Sequence, residues 1–222
     1  MRSPRLASDA DVQWREWPAG LPLVRVHDSA FGATEPHPGP DGAHQHGLVW
    51  PKTRFAHFRP ALTVGWVPSV YGGTSDVTAI AETMLRGQDR TSARPVHLRW
   101  PRWTAHMIST IAPRRPLHLL VVHDPALTAT GPRHYPTTVT EAARLHKAHR
   151  EADGLVWTSR QHLDGEACLL WVDEPADRCR VARTDLTVVD QPIAVTSRDG
   201  QERVLAAAET LEVMVVAETT QP

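Results

Sequence analysis

The chain has 222 residues, a length that fits one large domain or two small ones and that buries a sizeable core without crosslinks. Its 24 Lys and Arg balance 25 Asp and Glu, and a net charge of −1 excludes the strongly basic surface of a general nucleic-acid binder. The two cysteines, Cys168 and Cys179, are too few for a disulfide framework. The sequence shows neither a signal-peptide pattern nor an apolar run of about 20 residues. We therefore expect a cytoplasmic protein with no membrane and no direct nucleic-acid partner.

The first part of the chain predicts two strands separated by a turn-rich loop. Residues 1–20 are polar, and we expect a peripheral N-terminal segment there. LPLVRVHD (21–28) is typical of a strand, whereas residues 31–47 concentrate Pro, Gly and His and predict a long loop. A short apolar piece, TRFAHF (53–58), precedes TVGWVPSVYG (63–72), which predicts the second strand.

Residues 75–86 give the clearest helical signal in the chain. Gly72 and Gly73 predict the turn that leads into this helix, and Ser75 is a good N-cap. Apolar residues recur at helical spacing at positions 77, 80, 81, 84 and 85. One carboxylate, Glu82, stands at the edge of this apolar stripe.

The second half of the chain mixes helices and strands with an irregular stretch at residues 88–116. Residues 138–150 predict a helix with Thr138 or Thr140 as its N-cap. Strand-like runs occupy residues 117–124, 154–160 and 166–173, and residues 183–217 combine strand-like runs with RVLAAAETLEVMVV, which fits a helix or a strand. The pattern predicts one α+β domain over residues 21–222, with mixed, twisted β-sheets and flanking helices.

Histidine clusters in the turn-rich part of the chain, at His37, His44, His46 and His57. The chain has no H-E-x-x-H and no partner group of Cys or Asp at zinc spacing, so we interpret these residues as loop histidines and expect no metal. G-x-S-x-G and G-x-G-x-x-G are also absent from the sequence, which removes the main support for a hydrolase elbow or a Rossmann site.

Glu82 allows two interpretations. One is a boundary glutamate that reaches water or pairs with Arg86 four residues later. The other is a carboxylate half sunk beside a pocket, presented by a rigid helix that follows a strand and a tight turn. Spacing alone favours the boundary glutamate.

Four more side chains stand in or beside strand-like runs. Arg25 and Arg54 either form structural salt bridges or face a cleft, where guanidinium groups suit bidentate contacts with phosphate. Tyr71 is either a core aromatic or a flat ring that stacks on a planar ligand. Ser159 either belongs to an ordinary turn or contributes to a site at a strand end.

Taken together, these segments resemble the RES domain family, which is named for its Arg, Glu and Ser. The matching segments follow the family's order over about residues 21–175: LVRVH with Arg25, KTRFAHF with Arg54, VPSVYGGTSDVTAIAET with Tyr71 and Glu82, LHLLVVHDPAL, and HYPTTVTEAARLHKAHREADGLVWTSRQHLDGEACLLWV with Ser159. Two features depart from the family. Ala56 stands where the family often has Asn, and residues 88–116 and the tail after 180 match no family motif.

The resemblance implies an α+β fold similar to ADP-ribosyltransferase toxins, with NAD⁺ as the substrate. It assigns Glu82, Arg25 and Tyr71 to catalysis, and Arg54 and Ser159 to substrate binding. Glu82 would stabilise positive charge on the ribose as the nicotinamide bond breaks. The two arginines would hold the pyrophosphate, Tyr71 would stack on the nicotinamide or its ribose, and Ser159 would donate to a phosphate or the carboxamide. Nicotinamide is a good leaving group, so this chemistry requires no metal.

Three functions stay open at this point. The first is an enzyme that degrades NAD⁺ by hydrolysis or phosphorolysis, as the toxin of a bacterial pair with a cognate antitoxin as its protein partner. The second is mono-ADP-ribosyl transfer to an acceptor protein, which the sequence does not separate from degradation. The third is a catalytically silent module that binds a nucleotide or a partner, an alternative that the departure at Ala56 supports.

Overall fold

A computed structural model describes residues 12–37, 53–59, 66–86, 88, 96–129, 131–172 and 181–216. Within these residues the strands are β1 (Gln13–Trp17), β2 (Leu23–Asp28), β3 (Ser69–Gly73), β4 (His97–Arg99), β5 (His106–Pro113), β6 (Leu117–Val121), β7 (Gly154–Thr158), β8 (Glu166–Trp171), β9 (Leu186–Val188), β10 (Ile193–Ala194) and β11 (Met214–Val216). The helices are α1 (Asp76–Met84), α2 (Pro125–Thr128), α3 (Tyr135–Ala148) and α4 (Arg198–Thr210). The α+β class predicted from the sequence is confirmed.

One mixed sheet joins nine of these strands in the order β1-β6-β7-β8-β3-β2-β5-β10, and β9 also pairs with β5. Strands β6 and β7 run parallel, and the other pairs in this sheet are antiparallel. Strands β4 and β11 form a separate parallel pair. Consequently β3 lies in the middle of the large sheet, and the helix that follows it starts from a central position.

The two faces of the sheet carry different packing. Because side chains alternate along a strand, Tyr71 and Gly73 of β3 point to one face, and Val24, which pairs with Gly73, points the same way. Helices α1, α3 and α4 pack on this face, which we call the helix face. The opposite face carries Leu23 and an apolar cluster that includes the buried Trp17.

Helix α1 approaches the sheet closely at Gly73. A Cβ at this position would lie 2.9 Å from the backbone nitrogen of Ala79 and 3.0 Å from the side chain of Thr78. The sequence placed Gly72 and Gly73 in the turn before the helix, but both residues belong to β3. The glycine at position 73 therefore serves close helix–strand packing rather than the turn.

The prediction of an irregular stretch over residues 88–116 is wrong, because the eight-residue strand β5 lies inside it. Its sequence, HMISTIAP, places the short polar residues Ser109 and Thr110 among apolar ones and gives a weak strand signal. Its partners are β2 on one side and β9 and β10 on the other. These partners are distant in sequence, so the strand is specified by tertiary pairing rather than by local propensity.

The predicted N-caps of the helix at 138–150 are also wrong, since α3 begins at Tyr135. The hydroxyls of Thr138 and Thr140 donate to the carbonyls of Tyr135 and Pro136, at 3.0 and 2.9 Å, inside the helix. Pro136 lies in the first turn, where its missing N–H leaves no hydrogen bond unmade.

The ends of the chain add two elements to this picture. Part of the segment predicted as peripheral forms the edge strand β1, where four of the five residues are exposed and Trp17 is buried. The ambiguous run near the C-terminus contains both alternatives, because α4 is followed by β11. Within the described ranges, no helix is long and apolar enough to cross a membrane.

Candidate functional site

Glu82 lies on α1 and points towards the protein rather than towards water. Ser75 caps the helix as predicted, since its hydroxyl accepts from the backbone N–H of Thr78 at 3.2 Å. Only 9% of Glu82 is exposed. The nitrogen Nε of Arg86 donates at 2.9 Å to the backbone carbonyl of Glu82, not to its carboxylate. The boundary interpretation, with an ion pair to Arg86, is therefore not the observed arrangement.

The two carboxylate oxygens of Glu82 have different partners. Oε1 accepts a hydrogen bond from the hydroxyl of Ser159 at 2.7 Å. Oε2 lies 3.3 Å from Nη1 of Arg54, which is longer than the usual 2.7–2.9 Å of a charge-assisted hydrogen bond. One oxygen is thus held firmly, while the other has capacity for a second donor.

Arg54 is the buried cation of the site. Its residue exposure is 6%, and its backbone carbonyl accepts from the hydroxyl of Thr138 on α3. Among the described residues its Nε has no hydrogen-bond partner. A buried guanidinium with an unused donor is costly in a purely structural role and suits a site that receives an anionic or polar ligand.

Tyr71 connects the Arg54 segment to the sheet. Its hydroxyl accepts from the backbone N–H of Phe55 at 3.1 Å, and its ring meets that of Trp157 edge-on at 6.1 Å. The guanidinium of Arg86 lies 5.3 Å from the ring centroid, a cation–π distance. Burial raises the pKa of the Tyr71 phenol, although the Arg86 charge opposes this, so the phenol is neutral at physiological pH.

Ser159 is fully buried, and its hydroxyl donates one hydrogen bond and accepts two within the protein. Besides donating to Glu82, the oxygen accepts from the backbone N–H groups of Gln161 at 3.2 Å and His162 at 3.1 Å. This arrangement orients the Glu82 carboxylate. The assignment of Ser159 to substrate binding, which the resemblance implies, stays a prediction.

The turn that follows Ser159 contacts α1 near both of its ends. The amide of Gln161 donates to the carbonyl of Leu85 at 3.3 Å, and Nδ1 of His162 lies 2.9 Å from the hydroxyl of Thr78. Gly165 closes the turn against Thr78, because a Cβ there would lie 1.9 Å from that hydroxyl. The turn 159–165 therefore fixes the helix that carries the carboxylate.

Arg25 does not join this cluster. It neighbours Val24 in β2 and points to the opposite face of the sheet from Tyr71. Its Nη1 donates to the carbonyls of Ala33 at 2.8 Å and Glu35 at 2.7 Å. Burial lowers the pKa of Arg25 to about 10. The expected pair of arginines in one cleft is thus not formed, and Arg25 holds the loop after β2.

The histidine cluster is only partly within the described ranges, because positions 44 and 46 lie outside them. His37 and His57 lie together, with ring centroids 4.6 Å apart. Among the residues that the structure describes, no group of three or more His, Cys, Asp or Glu is arranged to hold a metal.

Sequence reasoning missed several residues that the fold brings to the site. The sequence suggested Arg86 only as an ion-pair partner of Glu82, although its position four residues later, just after the end of α1, also predicts a cation on the same side. Gln161 and His162 had no signal beyond their position after Ser159. Their contacts with α1 join segments more than 70 residues apart.

Comparison with known proteins gives one clear result. A search among curated proteins finds no match. The RES domain matches residues 22–191, most of the chain, and this range contains Glu82, Arg54, Tyr71, Arg86 and Ser159. With the ordered motifs and the cluster they form, this match shows that the chain belongs to the RES domain family.

Proposed function

We propose that this RES-family protein consumes NAD⁺ by cleaving its nicotinamide–ribose bond, with Glu82 as the catalytic carboxylate. RES domains are generally associated with NAD⁺-processing activity of a toxin-like kind. The observation that carries the proposal is the buried carboxylate, which Ser159 fixes through one oxygen while Arg54 lies beside the other. Such a carboxylate is held ready for a positive charge that forms during a reaction.

The proposed reaction needs that carboxylate. The bond between ribose C1′ and the nicotinamide nitrogen breaks, and its electron pair leaves with nicotinamide as a neutral ring. Positive charge develops on the ribose, as in glycoside cleavage. Glu82 stabilises this charge strongly because little water screens it. A water or phosphate oxygen then bonds to C1′ and loses its proton to solvent, which gives ADP-ribose or ADP-ribose 1″-phosphate.

The surrounding side chains suit the rest of the substrate. Oε2 of Glu82 lies 3.3 Å from Arg54 and can accept a further hydrogen bond, which suits a ribose hydroxyl. The flat ring of Tyr71 suits stacking on nicotinamide or the ribose face. Arg86 and Arg54 supply positive charge for the pyrophosphate. Arg25 contacts no substrate in this scheme and supports the fold.

The biological setting is part of the proposal. Loss of NAD⁺ harms the cell that makes the enzyme, so we propose a toxin that acts in the cytoplasm and a cognate antitoxin that covers the site. The toxin-like character of RES domains supports this setting.

Turnover of NAD⁺ by the purified protein, with and without phosphate, tests the proposal. Free ADP-ribose indicates hydrolysis, and ADP-ribose 1″-phosphate that appears only with phosphate indicates phosphorolysis. Labelled NAD⁺ with cell lysate provides the comparison with ADP-ribosyl transfer, because a labelled protein band then replaces the small product. NAD⁺ that binds without being consumed favours the silent module, and NAD⁺ that neither binds nor disappears contradicts the proposal.

A further inference from the structure

Three aromatic rings form a row beside the candidate site. The ring centroids of Phe31 and His37 lie 5.3 Å apart with planes tilted by 39°, and those of His37 and His57 lie 4.6 Å apart with planes tilted by 30°. These geometries are close to offset stacking rather than edge-on contact. His37 is exposed and the other two residues are partly exposed, so solvent reaches all three residues.

His37, in the middle of the row, lies on the same face of the sheet as Tyr71. His37 forms an isolated antiparallel bridge with Ser69, two residues before Tyr71 on β3, and residues two apart on a strand share a face. His57 comes two residues after Phe55, whose N–H binds the Tyr71 hydroxyl. The ring row is therefore continuous with the segment that carries Arg54.

Arg86 lies close to both Tyr71 and the ring row. Contacts link these groups one to the next. Glu82 lies beside Arg54, and the N–H of the next residue, Phe55, donates to the Tyr71 hydroxyl. Arg86 lies over the Tyr71 ring, and its charge reaches His57.

His57 has an uncharged ring, which suits contact with a neutral base. Burial, together with the neighbouring His37, lowers the pKa of His57 to about 4, so its ring is uncharged at physiological pH. Within the described part of the chain, Nδ1 of His57 is buried without a hydrogen-bond partner. Flat rings of this kind stack on nucleobases, each of which presents a π-face.

We propose that Phe31, His37 and His57 form the subsite that stacks on the adenine of NAD⁺. This rests on the proposed function. The order in which these contacts link the groups matches the order along the dinucleotide: the ribose bearing nicotinamide at Glu82, the pyrophosphate at Arg86, and the second base at the ring row. A substrate without the second base would leave the row empty.

Calorimetric binding of NAD⁺ and nicotinamide mononucleotide tests this assignment, because the mononucleotide has the scissile bond and one phosphate but no adenosine. We expect His37→Ala and His57→Ala to weaken the binding of NAD⁺ about tenfold more than that of the mononucleotide. His57→Phe keeps a flat ring and should retain the wild-type ratio of NAD⁺ affinity to mononucleotide affinity. Trp14→Ala is the matched control, since it removes a ring that contacts His149, 5.7 Å away on the β1 side of the sheet.

The result separates the subsite from the reaction. The adenine assignment would be overturned if the binding of both ligands weakened equally, or if the ratio of NAD⁺ affinity to mononucleotide affinity were unchanged in both alanine variants. Absence of NAD⁺ binding to the wild type would overturn it as well. His37 is exposed, so its variant should fold even if His57→Ala does not. NAD⁺ that binds with the expected ratio but is never cleaved leaves the subsite intact and contradicts only the proposed reaction.

Discussion

Replacement of Ser159 by alanine tests how the site orients its carboxylate. The hydroxyl donates to Glu82 at 2.7 Å with no exposure to water, and a hydrogen bond to a buried charge contributes roughly 1.5–3 kcal/mol. The N–H groups of Gln161 and His162 also lose their acceptor. A total loss of about 3 kcal/mol lowers Tm by roughly 6–12 °C in a domain of this size.

The kinetic effect of the same change should fall on kcat. A freed Glu82 carboxylate loses its orientation in the transition state, and a loss of roughly 1.4–2.7 kcal/mol there slows kcat about 10- to 100-fold. The KM for NAD⁺ should stay close to wild type because Ser159 has no exposed surface.

A matched buried serine provides the control for Ser159→Ala. Ser69 lies on the same sheet with 2% exposure, and among the described residues its hydroxyl has no partner, so Ser69→Ala should be nearly neutral. Steady-state kinetics and thermal melts of both variants decide the matter. A wild-type kcat with a raised KM in Ser159→Ala would refute the positioning role, as would equal behaviour of the two variants.

Three further predictions concern the framework of the site. Gly165→Ala should lower Tm strongly, because the new Cβ would lie 1.9 Å from the Thr78 hydroxyl. Gly131→Ala, with open space around the new Cβ, should change Tm little. Similar melts of the two variants would contradict the close packing of the turn 159–165 against α1. Arg25→Met should destabilise the fold by about 2–4 kcal/mol through two lost carbonyl contacts, yet leave kcat of the folded protein within about threefold; a far larger loss of kcat would place Arg25 in the reaction. Because the folded-state pKa of His57 is about 4 and its ordinary value is 6.5, the unfolded chain binds the proton first as pH falls from 6.5 to 4. The free energy of unfolding, measured by denaturant titration, should drop by up to about 3 kcal/mol over this window. His57→Phe should remove this pH-dependent drop. Parallel pH profiles of the wild type and His57→Phe would rule this out.

Local signals were enough to predict the elements that build the site. Ser75 gave the start of α1, and the apolar period gave its buried face. The strand-like runs around Tyr71 and Ser159 predicted β3 and β7, although their ends shifted by a few residues. The ordered motifs then predicted which of these elements belong to one site.

Non-local pairing decided what the sequence did not predict. The face on which Arg25 lies depends on strand register, and a shift of one residue reverses it. Strand β5 forms because β2, β9 and β10 pair with it. The Ser159–Glu82 contact joins residues 77 apart, so no local pattern predicts this hydrogen bond.

The most direct test of the proposed function compares NAD⁺ turnover by the wild type and Glu82→Gln, normalised to the folded fraction. Glutamine keeps the shape of the side chain but removes its charge, and Arg54 then lies buried beside a neutral group. We expect the wild type to consume NAD⁺ and Glu82→Gln to lose at least about 100-fold in kcat, since a charge placed against the transition state contributes roughly 3 kcal/mol or more. Equal turnover by the two proteins, or no turnover by the wild type, would contradict the proposed function.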